Sequence, residues 1–252
     1  MRRSIHLILT VFGGAVLAMG QTAPDPCAEL PTAADLKSAL QSAQKQKNGG
    51  LGFHMWAVTV NRDGVVCAVV FSGATRSDQW PGSRVIAAQK ANTANAFSVP
   101  GFALSTANLY SAVQAGGSLF GLQESNPVNP AVAYAGPVAD IGTATDGLVG
   151  QRIGGINVFG GGLALYKQGA KLVGGLGVSG DTSCTDHIIA WRVRNTLNLD
   201  YVPAGVGGAG EDNIINDIFV NSQTGQSQSP SGWGHPACDA TATSISANLS
   251  VR

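Results

Sequence analysis

The spacing of apolar residues predicts a helix that begins shortly after residue 30. Thr32 can cap this helix, and Asp35 stands at the third position after the cap. Four apolar residues then recur three and four positions apart, which is the period of one helix face. They are Leu36, Ala39, Leu40 and Ala43. We therefore expect a first amphipathic helix here.

Two β-rich runs follow this helix, over residues 55–61 and 65–72. They are joined through Asp63 and Gly64, a pair that readily adopts the positive φ angles of a tight turn. The two runs are therefore predicted to form an antiparallel hairpin.

Residues 83–97 show helical spacing again, with small residues along one stripe: Ala87, Ala91 and Ala94. Small residues allow a helix to pack closely on a sheet. A shorter helix is predicted to begin at a Ser105 cap. Its apolar residues are Leu109, Ala112 and Val113.

The second half of the chain begins with a long irregular segment. Residues 123–154 are rich in Pro, Gly and Asn without a clear period, which at this length is typical of a functional or covering loop. Strand patterns return at 156–159, 163–166 and 171–178, and a helical pattern covers 183–197. These elements together predict an α/β (α+β) fold.

The first twenty residues have the features of a cleavable export signal. Arg2 and Arg3 precede an apolar run over residues 5–19, and a small-x-small pattern ends at Gly20. The run is shorter than the roughly 20 residues that a membrane-spanning helix needs, so we expect no stable membrane insertion. The protein is predicted to be secreted or periplasmic.

The chain is accordingly divided into four parts: a signal peptide (1–20), an N-terminal segment (21–31), one domain (32–202) and a C-terminal extension (203–252). The extension is rich in Gly, Ser, Thr and Asn, and its few apolar residues could dock on the domain. They are Ile214, Ile215, Ile218 and Phe219.

Composition narrows the class of partner. The whole chain has 15 basic and 15 acidic residues, so removing Arg2 and Arg3 with the leader gives a small acidic excess. No basic cluster is available to neutralise phosphates, which argues against a nucleic-acid partner.

Four cysteines remain in a chain predicted to leave the reducing cytoplasm, so two disulfides are expected. Sequence alone allows three pairings. We favour Cys184 with Cys238, which would tie the extension to the domain, and Cys27 with Cys67.

Zinc is an alternative for part of this set. Cys184 and His187 have a two-residue spacing that His235 and Cys238 repeat in reverse, and two Cys with two His is a tetrahedral zinc ligand set. Export favours a disulfide between the same two cysteines.

Three segments resemble the heme-binding GlcG/HbpS family. They are residues 90–94 (KANTA), 173–180 (VGGLGVSG) and 186–190 (DHIIA), and the resemblance extends over roughly residues 32–200. The last two segments are its most specific part. The chain departs from the family pattern at Thr185, where a glutamine is common, in the long loop ahead of Gly154 and in the added extension.

The resemblance implies a profilin-like antiparallel sheet of about five strands flanked by helices. It also implies assembly into homo-oligomers and binding of heme or, in related domains, of a corrinoid. These implications concern the fold and the class of bound molecule, not the protein atoms that would bind it.

The candidate cofactor-binding residues follow from residue type and from the resemblance. His187, at the start of the last helix beside Asp186, is the candidate ligand of heme iron, and His54 is a second one. Lys90 and Thr93 stand three apart on one helix and could meet a propionate. The amides near Gly180, at a helix N-terminus, could hold a carboxylate. Each of these residues could equally have an ordinary structural role.

The run from Gly175 to Gly180 also fits the dinucleotide motif G-x-G-x-x-G, with Asp200 about 20 residues further on. That motif opens a βαβ unit. Here antiparallel hairpins are predicted ahead of it. We therefore expect these glycines to allow close packing of a strand under a helix.

The sequence shows no nucleophile elbow, paired catalytic carboxylates or phosphate loop, so we expect a binding module rather than an enzyme. The resulting hypothesis is an exported heme-binding or heme-sensing accessory protein. One alternative is an enzyme, or an enzyme accessory protein, related to small hydroxy acids. A further alternative is a structural oligomer with a degenerate pocket.

Overall fold

The computed structural model describes residues 25–250, so the predicted signal peptide lies outside the described residues. Four helices have seven or more residues: α1 (Ala33–Gln44), α2 (Ser83–Ala96), α5 (Ser183–Thr196) and α6 (Ala240–Ser246). Two single turns of helix, α3 (Leu122–Ser125) and α4 (Pro130–Ala133), lie in the long loop. The strands are β1 (Trp56–Asn61), β2 (Val66–Phe71), β3 (Gly162–Lys167), β4 (Lys171–Ser179), β5 (Phe219–Val220) and β6 (Ser227–Gln228).

The main sheet has four antiparallel strands in the order β2-β1-β4-β3. The predicted hairpin is confirmed: β1 pairs with β2, and Gly64 in the turn has a φ of 75°. In the centre of the sheet Val58 pairs with Val69 on one side and with Gly177 on the other. The short strands β5 and β6 form a separate hairpin in the C-terminal extension.

Helices cover both faces of this sheet, because alternate strand residues are apolar on each side. One core lies under α1 and α5 and includes Leu36, Leu40, Leu176 and Ile189. The other lies under α2. The fold class is therefore α+β, as predicted, and the Thr32 cap of α1 accepts a hydrogen bond from the Asp35 amide as expected.

The glycines of β4 allow α2 to lie directly on the sheet. A Cβ atom on Gly175 would collide with the carbonyl oxygen of Ala91, and one on Gly177 with that of Ala87. Since β4 is antiparallel to both of its neighbours, the glycine run does not open a βαβ unit. It serves close packing, as the sequence indicated.

The prediction of about five strands was wrong by one, because residues 156–159 form no strand. The Asn157 amide donates to the Thr93 hydroxyl at 3.0 Å, and the Phe159 amide donates to the Asn157 side chain at 3.1 Å. Side chains thus satisfy the backbone groups that a neighbouring strand would otherwise bond.

The helix predicted at Ser105 is instead a pair of 3-10 turns, Ala107–Leu109 and Ser111–Val113. The Ser105 amide and hydroxyl both donate to the Asn108 side chain, at 2.9 and 2.8 Å. This local bonding is typical of a tight turn and competes with a regular helix.

The C-terminal extension packs against α5. Ile214 is buried against Ile188, and Asp212 forms a buried ion pair with Arg194. Phe219, which the sequence also offered for docking, is exposed on β5. No helix within residues 25–250 is both long and apolar enough to cross a membrane.

Candidate functional site

A buried ion pair joins α2, on one face of the sheet, to the start of α5, on the other face, at the end of β4. Lys90 Nζ is 2.7 Å from Asp186 Oδ2 and donates a second hydrogen bond to the Val178 carbonyl at 3.1 Å. Both charged side chains are almost fully buried. The close packing of α2 on β4 brings Lys90 over the end of that strand, where α5 begins.

Asp186 also organises the turn between β4 and α5. Its second oxygen, Oδ1, accepts hydrogen bonds from the amides of Gly180 and Asp181 at 3.0 and 2.9 Å. The predicted carboxylate-binding amides are thus occupied by a carboxylate of the chain itself. Burial raises the pKa of Asp186 to about 6, although Lys90 opposes the shift. Burial also lowers the pKa of Lys90.

An open cavity of about 270 Å³ lies over this ion pair. Its apolar walls come from Trp80, Ile86 and Phe159. Trp80 and Phe159 are 49% and 47% exposed, so their rings are available to a ligand. Ser83, at the start of α2, and Ser179, at the end of β4, add hydroxyl groups to the lining.

His54 lies two residues before β1 and is partly exposed. The residue before it, Phe53, packs on Trp80 of the cavity wall. The Nδ1 of His54 is 3.0 Å from the Ser72 hydroxyl. Within residues 25–250 its Nε2 has no hydrogen-bond partner. The adjacent Phe53 and Trp80 rings meet edge to face, with centroids 5.2 Å apart, and Leu51 is also exposed.

His187 is in a different environment, buried under the C-terminal extension. Its Nε2 is 3.1 Å from the Ile214 amide and 3.2 Å from the Asn213 side-chain oxygen. Burial lowers the pKa of His187 to about 3, so the ring is neutral at physiological pH. To reach a ligand outside the protein, the ring would have to lose its cover from Asn213 and Ile214.

His235 is also buried and neutral, since burial lowers its pKa to about 4. Its Nδ1 lies 2.8 Å from the Pro236 carbonyl, and its ring packs on Tyr110 with centroids 5.1 Å apart. Like His187, it is held inside the contact between the extension and the domain.

Two disulfides join Cys27 to Cys67 and Cys184 to Cys238, as predicted. The second bond removes the thiolates that the zinc hypothesis required, so that hypothesis is wrong for this oxidised state. Among residues 25–250 no group of three potential metal ligands occurs.

Residues 75–194 match the family model described as "Haem degrading protein HbpS-like". The protein is therefore similar to this family over that segment, which is slightly less than half of the chain. No curated protein matches it. The matched segment includes α2, β3, β4 and nearly all of α5, and therefore both members of the Lys90–Asp186 pair.

Several solved structures are similar to this protein. The crystal structure of a PduOC:heme complex is 25% identical, covers 66% of this chain and 91% of its own, and has a TM-score of 0.45. Klebsiella pneumoniae ORFY, a DUF336 protein, is 20% identical, with coverages of 73% and 97% and a TM-score of 0.45. A double mutant of Streptomyces reticuli HbpS is 19% identical, with coverages of 76% and 98% and a TM-score of 0.43.

The fold brings together only some of the residues selected from the sequence. Lys90, Asp186 and Gly180 meet at the cavity floor. Thr93 lies one turn further along α2, where its hydroxyl donates to the Gln89 carbonyl at 2.8 Å. His187 is packed beneath the extension.

Sequence reasoning did not select the rest of the cavity lining as ligand-binding. Ser83 and Phe159 were missed because no motif or spacing singles them out. Ser179 belongs to the family-like segment 173–180 but was not selected as a ligand-binding residue. A usable signal was present in part: Ser83 precedes an apolar helix face, and Ser179 ends a strand at a helix start, so both lie at element boundaries.

The family description raises heme as a ligand, and the described residues can be tested against it. Heme iron commonly takes a histidine nitrogen whose ring is oriented by a hydrogen bond from the other nitrogen. His54 meets both conditions, because Nδ1 is at hydrogen-bond distance from Ser72 and Nε2 is free. Exposed apolar side chains next to it, Phe53 and Trp80, suit a porphyrin face. The residues therefore fit the group.

Proposed function

We propose that this protein is an exported heme-binding protein and that His54 supplies the axial ligand. The observation that carries the proposal is the state of the ring: within residues 25–250, His54 alone among the histidines combines partial exposure with a free nitrogen. His187 and His235 are both buried.

The surroundings of His54 support this assignment. The Ser72 hydroxyl already accepts from the Met55 amide at 2.9 Å and has a second lone pair for the Nδ1 proton. Donation from Nδ1 to Ser72 would leave the Nε2 lone pair directed away from the strand. Leu51, Phe53 and Trp80 would cover apolar porphyrin surface beside it. When bound, heme would supply any redox chemistry.

The experiment is a hemin titration of the oxidised mature protein, followed through the Soret band. Wild type should show a saturable shift, and His54→Ala should weaken it by at least tenfold. His187→Ala and His235→Ala are the matched controls and should bind hemin as wild type does. A saturable shift that survives in His54→Ala but is lost in His187→Ala would overturn the assignment of His54.

A Ser72→Ala variant tests the orienting bond separately. It should bind hemin with a reduced affinity, because loss of an outer-shell partner typically costs about 10–100-fold in metal affinity. An unchanged affinity would mean that Ser72 does not orient the ligand.

Export and assembly complete the proposal. Two disulfides fit an extracellular protein, and the predicted signal peptide would direct the chain there. Mass spectrometry of the protein recovered outside the cytoplasm should show a new N-terminus near Gln21.

The homo-oligomer implied by the family resemblance is tested by light scattering of the same material, and a monomer would contradict it.

A further inference from the structure

The cavity over the Lys90–Asp186 pair contains hydrogen-bonding groups that the fold does not use. Ser83 and Ser179 are only 3% and 4% exposed. Within residues 25–250 neither hydroxyl has a hydrogen-bond partner, although both line the cavity. Both residues line the cavity, so their hydroxyls are available to a ligand or to solvent there.

Lys90 adds a third group to this floor. An ammonium group has three N–H donors, and the chain uses two of them, for Asp186 and for the Val178 carbonyl. The remaining donor and the two hydroxyls can all give hydrogen bonds to oxygen atoms. Asp181 and Asp186 also line the cavity, and Asp186 already balances the charge of Lys90. The floor therefore suits a group rich in acceptors when one of these two carboxylates is protonated.

The rest of the lining limits the ligand to one with an apolar body. Trp80, Ile86 and Phe159 form the walls, and a volume of about 270 Å³ lies just below the range of typical ligand pockets, roughly 300–1,000 Å³. The long helices α2 and α5 also both begin at this cavity, with Ser83 and Ser183. Helix N-termini favour negative charge.

From these features we infer that the cavity binds a carboxylate attached to a small apolar group, with Lys90, Ser83 and Ser179 as its hydrogen-bond donors. The same chemistry could come from a free organic acid or from a propionate of a heme bound at the neighbouring His54. Only the second source rests on the proposed heme-binding function.

Benzoate is a suitable probe, because it joins a carboxylate to an apolar ring and needs no heme. Calorimetry with the oxidised, heme-free protein should show saturable binding at one site. Neutral benzamide, which has nearly the same shape, should bind at least tenfold more weakly. If benzamide binds as well as benzoate, or if benzoate does not bind, the inference is wrong.

The variants should spare the ion pair, since removing Lys90 would leave Asp186 buried without its cation. Ser83→Ala and Ser179→Ala remove one hydroxyl each, and hydrogen bonds to charged groups contribute enough that each loss weakens affinity on the order of tenfold. Ser38→Ala, on the exposed side of α1, is the control and should bind benzoate as wild type does. If all three variants bind benzoate equally well, this cavity is not the benzoate site.

Hemin and its dimethyl ester distinguish the two sources. If a propionate enters the cavity, the ester binds less tightly than hemin, and benzoate competes with hemin. If a free acid is the ligand, hemin and the ester bind alike, and benzoate binding is unchanged by hemin. If hemin does not shift the Soret band, the heme-binding proposal is wrong. The benzoate titration then tests on its own whether the cavity binds a carboxylate.

Discussion

Arg194 of α5 holds Asp212 of the C-terminal extension through two charged hydrogen bonds, of 2.7 and 2.8 Å, with both side chains buried. The pair lies beside His187, whose ring contacts the next two residues of the extension. The extension is therefore a structural part of the described protein and determines which histidines a ligand can reach.

Asp212→Ala should destabilise the protein strongly. It leaves the Arg194 guanidinium buried without its partner, and breaking a buried pair from one side typically costs about 3–5 kcal/mol. The free energy of unfolding in urea measures the loss. Glu29→Ala, which removes an exposed pair with Lys171, is the control and should hardly change the midpoint. Similar midpoints for the two variants would contradict the structural role of Asp212.

The disulfide between Cys184 and Cys238 should stabilise the extension selectively. Replacing both cysteines with alanine should cost about 2–5 kcal/mol, the usual range for a native disulfide. Hydrogen exchange should rise first in residues 203–250, including the Ile214 amide that contacts His187. The matched variant lacks Cys27 and Cys67 instead, and its exchange should rise at the N-terminal segment. A uniform rise in both variants would argue against a locally anchored extension.

Patterns among residues close in sequence predicted most helices and strands of this fold. The exceptions arise from contacts between residues that are distant in sequence. Thr32 and the Asp63-Gly64 turn act within a few residues, so the sequence displays their roles directly. The strand expected at residues 156–159 fails because its amides bond to Thr93 on α2 and to Asn157. The contact with Thr93 exists only in the folded protein, so no pattern within residues 156–159 reveals it.

The residues of the candidate site fall into the same two groups: some were recognised from the sequence, and others are defined only by the folded structure. The family resemblance selected Lys90, and residue type and position selected Asp186 and His54. The fold places Lys90 and Asp186 in contact. Burial of His187 depends on Asn213 and Ile214, which no motif connects to it. Serine is a common surface residue, and only the position of Ser83 and Ser179 in the lining of the cavity distinguishes them.

Gly177→Ala should disrupt the contact between β4 and α2. The added methyl group would meet the Ala87 carbonyl oxygen, which belongs to the helix backbone and cannot rotate away. We expect a loss of about 3 kcal/mol in the free energy of unfolding, the upper part of the usual range for overpacking. Gly208→Ala has open space around the new atom and is the control. A fully stable Gly177→Ala protein would mean that α2 shifts easily on the sheet.

The two buried histidines should make the protein sensitive to acid. Their folded-state pKa values, about 3 for His187 and about 4 for His235, lie below 6.5, so the unfolded state binds protons more readily. Their stabilising effect is complete above pH 6.5 and is lost as the pH falls towards these values, by up to about 1.4 kcal/mol per pH unit for each ring. The raised pKa of Asp186 opposes the trend between about pH 4 and 6, because there the folded state holds the extra proton.

Urea unfolding between pH 4 and 7 measures the net slope, which should be positive with pH because two histidines outweigh one aspartate. NMR of the histidine rings supplies the residue-level check. Neither the His187 nor the His235 signal should titrate above pH 5, and a midpoint near 6.5 for either would contradict its burial.

Benzoate binding should be coupled to proton uptake by Asp186. The charge of Lys90 is already balanced by Asp186, and Asp181 adds a second carboxylate next to it, so a third one is accommodated best when Asp186 is neutral. His235, the other titratable group near Lys90, is itself neutral above about pH 4. Because the pKa of Asp186 is about 6, affinity should rise as the pH falls from 8 to about 5.5 and weaken by up to about tenfold per unit above pH 6. Calorimetry at pH 7.5 in buffers of different ionisation enthalpy should show the uptake of close to one proton. Binding without proton uptake would mean that the ligand carboxylate does not compete with Asp186 for Lys90.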